Sequence, residues 1–379
     1  MRSFCEQMWS VLVKDLRQWR RDPQAAIGPM LMPLVMMFLT SILFGFGGDD
    51  WAVGLIVEGR GPAAGRLATA IEQARGQISP YFRIVTRDEK EAQRLAAAGR
   101  LHMVIAIPAD FDDRMAAGQP AVVRTQVYNL NTDITKNVRL RLQHAIQDYL
   151  SAGGRAPVTV AQFTSLPADI WRREFIAGGA VILTLLVGAT LNTAIMVARE
   201  WERRTVKVLY LAPHPVAAIT AGKLAAGLVT TGINVAVSLI AAVGVFGLRI
   251  PSERWLPLLG TGLLAATAAA GLGLGLGAWL KQYRTLQPLI AVTAAGSFFA
   301  AGGWATIATM PPGVRLFARV WPPAYVFETM HDLMHRPALS DVSGAWLGFG
   351  AAAVLGVAFG GTVMRRIFTG AAAGFGARH

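Results

Sequence analysis

Residues 197–223 read VAREWERRTVKVLYLAPHPVAAITAGK, with five basic side chains (Arg199, Arg203, Arg204, Lys207, Lys223) against two acids, Glu200 and Glu202. Apolar runs flank this stretch, residues 176–197 before it and 224–248 after it. Each is long enough to cross a bilayer as a helix, which takes about 20 residues at about 1.5 Å rise. A short charged loop between two spans has to sit in water at one membrane face. Its Lys/Arg excess predicts the cytoplasmic face.

Composition points the same way. The chain has 379 residues, 53% hydrophobic and 16% charged, with 40 glycines and several long apolar runs, a profile of membrane proteins. The net charge of +13 sits largely beside the apolar runs, so it reads as membrane topology and not as a nucleic-acid footprint. A single cysteine, Cys5, excludes an internal disulfide and any cysteine metal cage.

From this loop the map extends to both ends. Residues 1–24 form an amphipathic helix without the apolar core of a signal peptide. Cys5, Met8, Trp9, Leu12, Leu16 and Trp19 recur at three and four residues, while Lys14, Arg17, Arg20 and Arg21 populate the rest. Such a helix lies in the cytoplasmic interface, touching lipid or a soluble partner; Trp9, Lys14, Arg17, Trp19 and Arg20 are its candidate contact residues. A first span follows within residues 25–48, with Pro29 and Pro33 inside it.

Residues 49–173 read as a water-soluble α/β insert. Strands are predicted at 51–57, 82–86, 101–108 and 121–129, and helices at 62–76, 88–98 and 132–150. His102 and His144 stand apart, and Asp112-Asp113 reads as a solvated helix face. Residues 174–368 return to the membrane with spans two to six. Gly271, Gly273, Gly275 and Gly277 lie inside the fourth, where glycines four apart permit close helix packing. Asn192 and Asn234, inside spans two and three, are expected to bond between helices. The half-apolar, proline-broken segment 303–336 suits neither a span nor an ordinary loop. Residues 369–379 form a tail. The inner pieces of this map carry 15 Lys/Arg and the two short outer connections carry 5, which orients both termini toward the cytoplasm.

Glu200-x-Glu202-x-x-Thr205, then Leu209, Pro213 and Gly222-Lys223, resembles the signature of ABC-2 type transporter permeases. Two positions depart from it: Arg204 stands where the family usually has glycine, and Lys207 where it often has glutamate. Ile107-Pro108-x-x-Phe111, Gly118-x-Pro120, Met310-Pro311 and Trp321-Pro322-Pro323-x-Tyr325 extend the resemblance over nearly the whole chain. It implies an α-helical polytopic membrane protein with six transmembrane helices and an inserted extracytoplasmic α/β domain. It also implies that 303–336 dips back into the outer leaflet as two short helices. The function implied is that of a bacterial inner-membrane exporter subunit, coupled to a separate ATPase subunit through the 199–215 loop. Glu200, Trp201, Glu202, Arg203, Arg204 and Thr205 are the coupling residues on that reading. A second permease chain and a periplasmic adaptor protein are further expected partners, with ATP and magnesium held by the ATPase.

The chain lacks a G-x-x-x-x-G-K-[ST] phosphate loop, so active transport has to draw on energy from another polypeptide. No catalytic residue and no metal ligand is assigned. One competing reading is a membrane metalloenzyme, because His331-Asp332-Leu333-Met334-His335 places two histidines one helical turn apart. The bland reading of that pair is a polar helix face turned to the outer solution. A membrane scaffold or sensor is the other alternative.

Overall fold

The computed structural model describes residues 3–43, 51–76, 80–98, 100–127, 132–153, 156–164, 170–206, 215–307, 310–335 and 342–376. It divides into two compact units. One comprises Met1–Ile42, Ile176–Trp304 and Leu316–His379; the other comprises Leu43–Phe175 with Ala305–Arg315.

The first unit is helical. It opens with α1 (Phe4–Arg20) and α2 (Pro23–Leu43), and continues through α7 (Arg172–Glu202), α8 (Val216–Gly244), α9 (Trp255–Leu280) and α10 (Tyr283–Ala300). Two short helices, α11 (Pro312–Val320) and α12 (Pro322–His335), precede the last, α13 (Ser343–Gly376). Among the described residues four stretches are long and apolar enough to cross a membrane: Arg172–Glu202, Val216–Gly244, Ser252–Leu280 and Ser343–Ile367. The apolar stretch within α2, Ala26–Phe38, is shorter.

The alternating glycines of α9 serve two neighbours at once. A Cβ on Gly273 or Gly277 would lie 2.3 or 2.4 Å from the carbonyl oxygens of Thr190 and Ala194 on α7. On Gly271 it would meet the backbone of Gly356 at 2.3 Å, and on Gly275 the ring of Phe359 at 2.3 Å, both on α13. Since successive helix positions turn by about 100°, residues two apart face nearly opposite sides. The G-x-G-x-G-x-G run is therefore two packing stripes. Thr190 and Ala194 match Gly273 and Gly277 in ascending order, so α7 and α9 run in the same direction. Polar side chains join α7 to α8: Thr184 donates to Ser238 at 3.1 Å and Asn192 to Thr231 at 3.4 Å.

The second unit is built on a five-stranded mixed sheet. Its strands are β1 (Trp51–Val57), β2 (Phe82–Thr86), β3 (Met103–Ile107), β4 (Ala121–Val127) and β5 (Val158–Thr164), in the order β2-β1-β3-β4-β5. Only the β3–β4 pair is antiparallel. The intervening helices are α3 (Pro62–Gln73), α4 (Glu89–Ala97), α5 (Phe111–Ala116) and α6 (Thr132–Ser151). Side chains on a strand alternate between faces. Val53 and Leu55 of β1 accordingly join Leu67, Phe111 and Leu142 in one core, while Ala52 and Ile56 join Ala92 and Leu95 of α4 in another. This double burial makes β1 an unbroken apolar run.

Two expectations change here. Asp112 is no solvated side chain: its carboxylate accepts from the backbone N–H groups of Gly61 (3.0 Å), Ala63 (2.8 Å) and Ala64 (3.1 Å). It thus satisfies the free donors at the start of α3, a helix whose own N-cap residue is a glycine. Its partners lie about fifty positions away, beyond the reach of local pattern. The second change is β5 itself, which the sequence reading passed over between a helix and the return to the membrane.

His102 is buried beside Trp51, with ring centroids 5.2 Å apart and Nδ1 3.3 Å from the Ala52 carbonyl oxygen. Burial pushes its pKa down to about 4, against about 6.5 in the unfolded chain. The native state then binds fewer protons than the unfolded one, so stability is full above pH 6.5 and falls as pH drops toward 4. We expect this unit to lose about 2 kcal/mol between pH 7.5 and pH 5. Thermal unfolding at the two pH values measures the loss, and His102→Gln should flatten the difference.

Candidate functional site

α1 begins on a reciprocal cap. Ser3 Oγ accepts from the Glu6 N–H at 3.3 Å, and the Glu6 carboxylate accepts from the Ser3 N–H at 3.0 Å. The helix lies on α8, where a Cβ on Gly222 would come within 2.8 Å of both the Met8 carbonyl oxygen and Val11 Cβ. Only a residue without a side chain admits α1 so close. The buried face of α1 is Val11, Leu12 and Asp15. It is displaced from the stripe expected from spacing, and Trp9 and Cys5 are exposed.

Lys223, next to that glycine, points into the space thus closed. Its Nζ lies 3.1 Å from Asp15 Oδ2, 3.2 Å from Glu200 Oε1 and 3.0 Å from the Met196 carbonyl oxygen. The Lys223 and Asp15 side chains are each 1% exposed and Glu200 is 5% exposed. Lys14 completes the cluster, donating to Glu200 Oε1 and standing 3.2 Å from Asp15 Oδ1. Burial works against the Lys14 ammonium, but the two carboxylates outweigh it and hold its pKa above the usual lysine value. Two lysines and two carboxylates from three helices cancel in a space nearly closed to water. Such a cluster is costly to bury and much costlier to break, because removing one member strands its partner.

Glu200 and Glu202 are two positions apart on the last turn of α7 and face opposite ways. Glu200 turns inward to α1 and α8, and the Thr205 hydroxyl also donates to it. Glu202 turns to the next connection, where its Oε1 accepts from the Tyr283 N–H at 2.7 Å. There it caps the N-terminus of α10, where a carboxylate is favoured. Lys281 Nζ sits 4.4 Å from the centroid of the Trp201 ring, and the Arg199 guanidinium 5.1 Å from that of Tyr283. Arg199 also pairs with Asp22, between α1 and α2, and Arg203 lies 3.9 Å from the same carboxylate. The end of α7 and the turn after it, residues 199–205, are thereby fastened to α1, α8 and the α9–α10 connection.

All of this gathers at one end of the helices. Val11, Val197, Ile219, Leu274, Ala278 and Met364 form one core cluster with members from α1, α7, α8, α9 and α13. The basic inner pieces of the sequence map are thus neighbours. Of the expected contact residues, Lys14 joins the ion cluster and Trp19 lines a cavity of about 20 Å³ with Asp15 and Asn192. Trp9, Arg17 and Arg20 remain on the exposed side of α1. Leu209 and Pro213 of the motif, and Lys207, lie outside the described residues.

Arg204 adopts φ +56, the left-handed region that favours glycine. Holding an L-residue in it costs about 1–2 kcal/mol. Arg204→Gly should therefore raise the stability of the helical unit by about 1 kcal/mol, and Arg204→Val should lower it; thermal unfolding distinguishes the two.

Sequence reasoning missed Asp15. Its signal was present: it falls three residues after Leu12 and four before Trp19, an acid on the apolar face of its helix. The histidine pair also differs from expectation. His331 and His335 are buried, their rings stacked with centroids 5.7 Å apart. They lie against α7, where a Cβ on Gly178 would be 3.5 Å from His331 Cε1 and 3.6 Å from His335 Nε2. The helix face they occupy packs inward, not toward the solution. Among the described residues no group of three or more His, Cys, Asp or Glu is placed to hold a metal.

The arrangement is that of a helical membrane protein whose charged connections are locked together at one end, and the chain belongs to the ABC-2 transporter family. The family model described as "ABC-2 family transporter protein" matches residues 26–364. The chain is also 26% identical, over 353 residues, to the "Probable multidrug ABC transporter permease YbhS" of Escherichia coli strain K12. That alignment covers 86% of this chain and 87% of the relative, and the protein of the same name from Escherichia coli O157:H7 gives the same values. The family match begins after α1, so Lys14 and Asp15 lie ahead of it.

Proposed function

We propose that this chain is the membrane-spanning subunit of an ATP-driven exporter of the bacterial inner membrane. On this reading α2 and α10 cross the membrane with the four longer spans, making six, and both termini are cytoplasmic. The sheet-based unit is extracytoplasmic, with a periplasmic adaptor as one of its partners, and α11 and α12 re-enter the outer leaflet. Two permease chains pair and engage ATPase subunits, which hold ATP and magnesium. The relative's name makes multidrug efflux the first substrate class to try.

The observation that carries the reading is Glu200. It is buried at the end of one span and bound to lysines on two other helices, so the elbow cannot move alone. A push delivered to residues 199–215 passes to α1 and α8 together, and through Glu202 to α10. Closure of an ATPase pair against this surface is the kind of rigid-body input that shifts a cavity between two access states.

The test is co-purification with an ATPase, followed by substrate-stimulated hydrolysis. Glu202→Arg, on the exposed side of the elbow, should leave the chain inserted and ATP hydrolysis present while transport falls at least tenfold, about 1.4 kcal/mol of lost coupling. Glu200→Ala should uncouple the two as well. Unchanged transport in both variants would overturn the assignment of the elbow.

A further inference from the structure

Among the described residues the sheet has two edges, β2 and β5, and only one is defended. β2 is five residues long, contains Arg83, and is followed by Arg87, which pairs with Glu72 at 2.7 Å. β5, VTVAQFT, is seven residues long and has neither charge nor proline. Five of its residues are exposed, Phe163 to 62%. All seven pair in register with β4, from Ala121↔Val158 to Val127↔Thr164, without a bulge. The core under α4 includes no residue of β4 or β5, so the face bearing Thr159, Ala161 and Phe163 has no helix over it from that cluster. Natural sheets blunt such edges with charge, proline, brevity or a covering element, because the unpaired N–H and C=O groups otherwise recruit another strand.

We propose that β5 pairs antiparallel with β5 of a second copy of this chain, joining two five-stranded sheets into one across a two-fold axis. This rests on the reading above that two permease chains pair, and it specifies where they do so outside the helical unit. The occupant follows from the strand's chemistry. A two-fold contact brings the same patch of both subunits together, and like charges directly opposite one another destabilise a strand pair. β5 has no charge to oppose. Centred on Ala161, the pairing sets Val160 against Gln162, Val158 against Thr164, and the exposed Phe163 against Thr159 of the other copy. The last is an aromatic–β-branched pair on each side of the axis, a combination that stabilises antiparallel strands. A foreign partner selected by charge finds nothing on β5 to read, whereas a copy supplies the matching uncharged edge. Anchoring both chains in one bilayer raises their effective concentration, so that a single strand pair suffices.

Cys5 is the only cysteine, which makes the test direct. In a full-length Cys5→Ser background, single cysteines replace residues 159–163 one at a time. Opposed Cα atoms of antiparallel strands lie about 4.5–5.5 Å apart, within the range a disulfide bridges. Mild oxidation in membranes should give a covalent dimer, strongest with Ala161→Cys and absent with Val85→Cys on exposed β2. Adding Phe163→Lys to Ala161→Cys should cut the yield several-fold. A chain that stays dimeric and retains its ATPase, yet cross-links at no position in β5, would overturn the edge pairing and leave the permease reading intact. Cross-linking of Ala161→Cys to a different polypeptide would also overturn it. A monomer that captures no ATPase would bring down both.

Discussion

Lys223→Met should destabilise the helical unit by about 3–5 kcal/mol, the range found when one partner of a buried ion pair is removed. The substitution keeps the length of the side chain and deletes only the ammonium. Asp15 and Glu200, both nearly sealed from water, are then left with Lys14, about a third of whose side chain is exposed (36%). Two negative charges face one positive charge in a space that solvent cannot relieve. Asp15→Asn alone creates the opposite imbalance, with Lys14 and Lys223 on a single carboxylate. The double variant Asp15→Asn/Lys223→Met returns the cluster to one lysine and one glutamate. It should therefore be more stable than the sum of the single effects predicts, by about 0.5–3 kcal/mol. Thermal unfolding of the four proteins in detergent closes the cycle. Strict additivity would mean that the charges do not interact and that the cluster is not the fastening described above.

The second large effect is expected at the α7–α9 crossing. Gly273→Ala places a methyl group 2.3 Å from the Thr190 carbonyl oxygen, and Gly277→Ala places one 2.4 Å from that of Ala194. The obstacles are backbone atoms, which cannot rotate aside, so the helices must part. Overpacking of this kind costs about 1–3 kcal/mol per site, and the double variant should lose folded protein outright. Gly296→Ala on α10 meets nothing within 4 Å. It should be neutral or stabilising by up to about 1 kcal/mol, since alanine favours the helix. If the α9 variants melted like Gly296→Ala, the two helices would not be in backbone contact.

The parts of the fold that sequence shows best are those whose cause is local. Twenty-odd apolar residues in a row have few options other than a helix in lipid, and the alternation along β4 reflects neighbours on a pleated sheet. The elbow was legible too, because charge between two greasy runs has to find water. What pattern does not carry is the partner across a distance. Glu200 and Glu202 look alike in sequence, yet one is buried between lysines and the other caps a helix some eighty positions on. Asp112 looks solvated until α3 is laid beside it, and the histidine pair looks outward until Gly178 removes the side chain that would hold it off. Arg204 is the instructive exception. Its departure from the expected glycine was visible in the sequence, and the left-handed backbone supplies the reason the position matters.

The composition of the ion cluster has a bearing on how this protein is engineered. Half of its charges come from the opening helix, ahead of the region that the family model matches. A chimera that keeps the spans of one permease and borrows the leading segment of another has to match charges at positions no shared signature marks. A fusion or trimming made at the start of the matched region would take away one lysine and one aspartate together, leaving Lys223 and Glu200 with only each other.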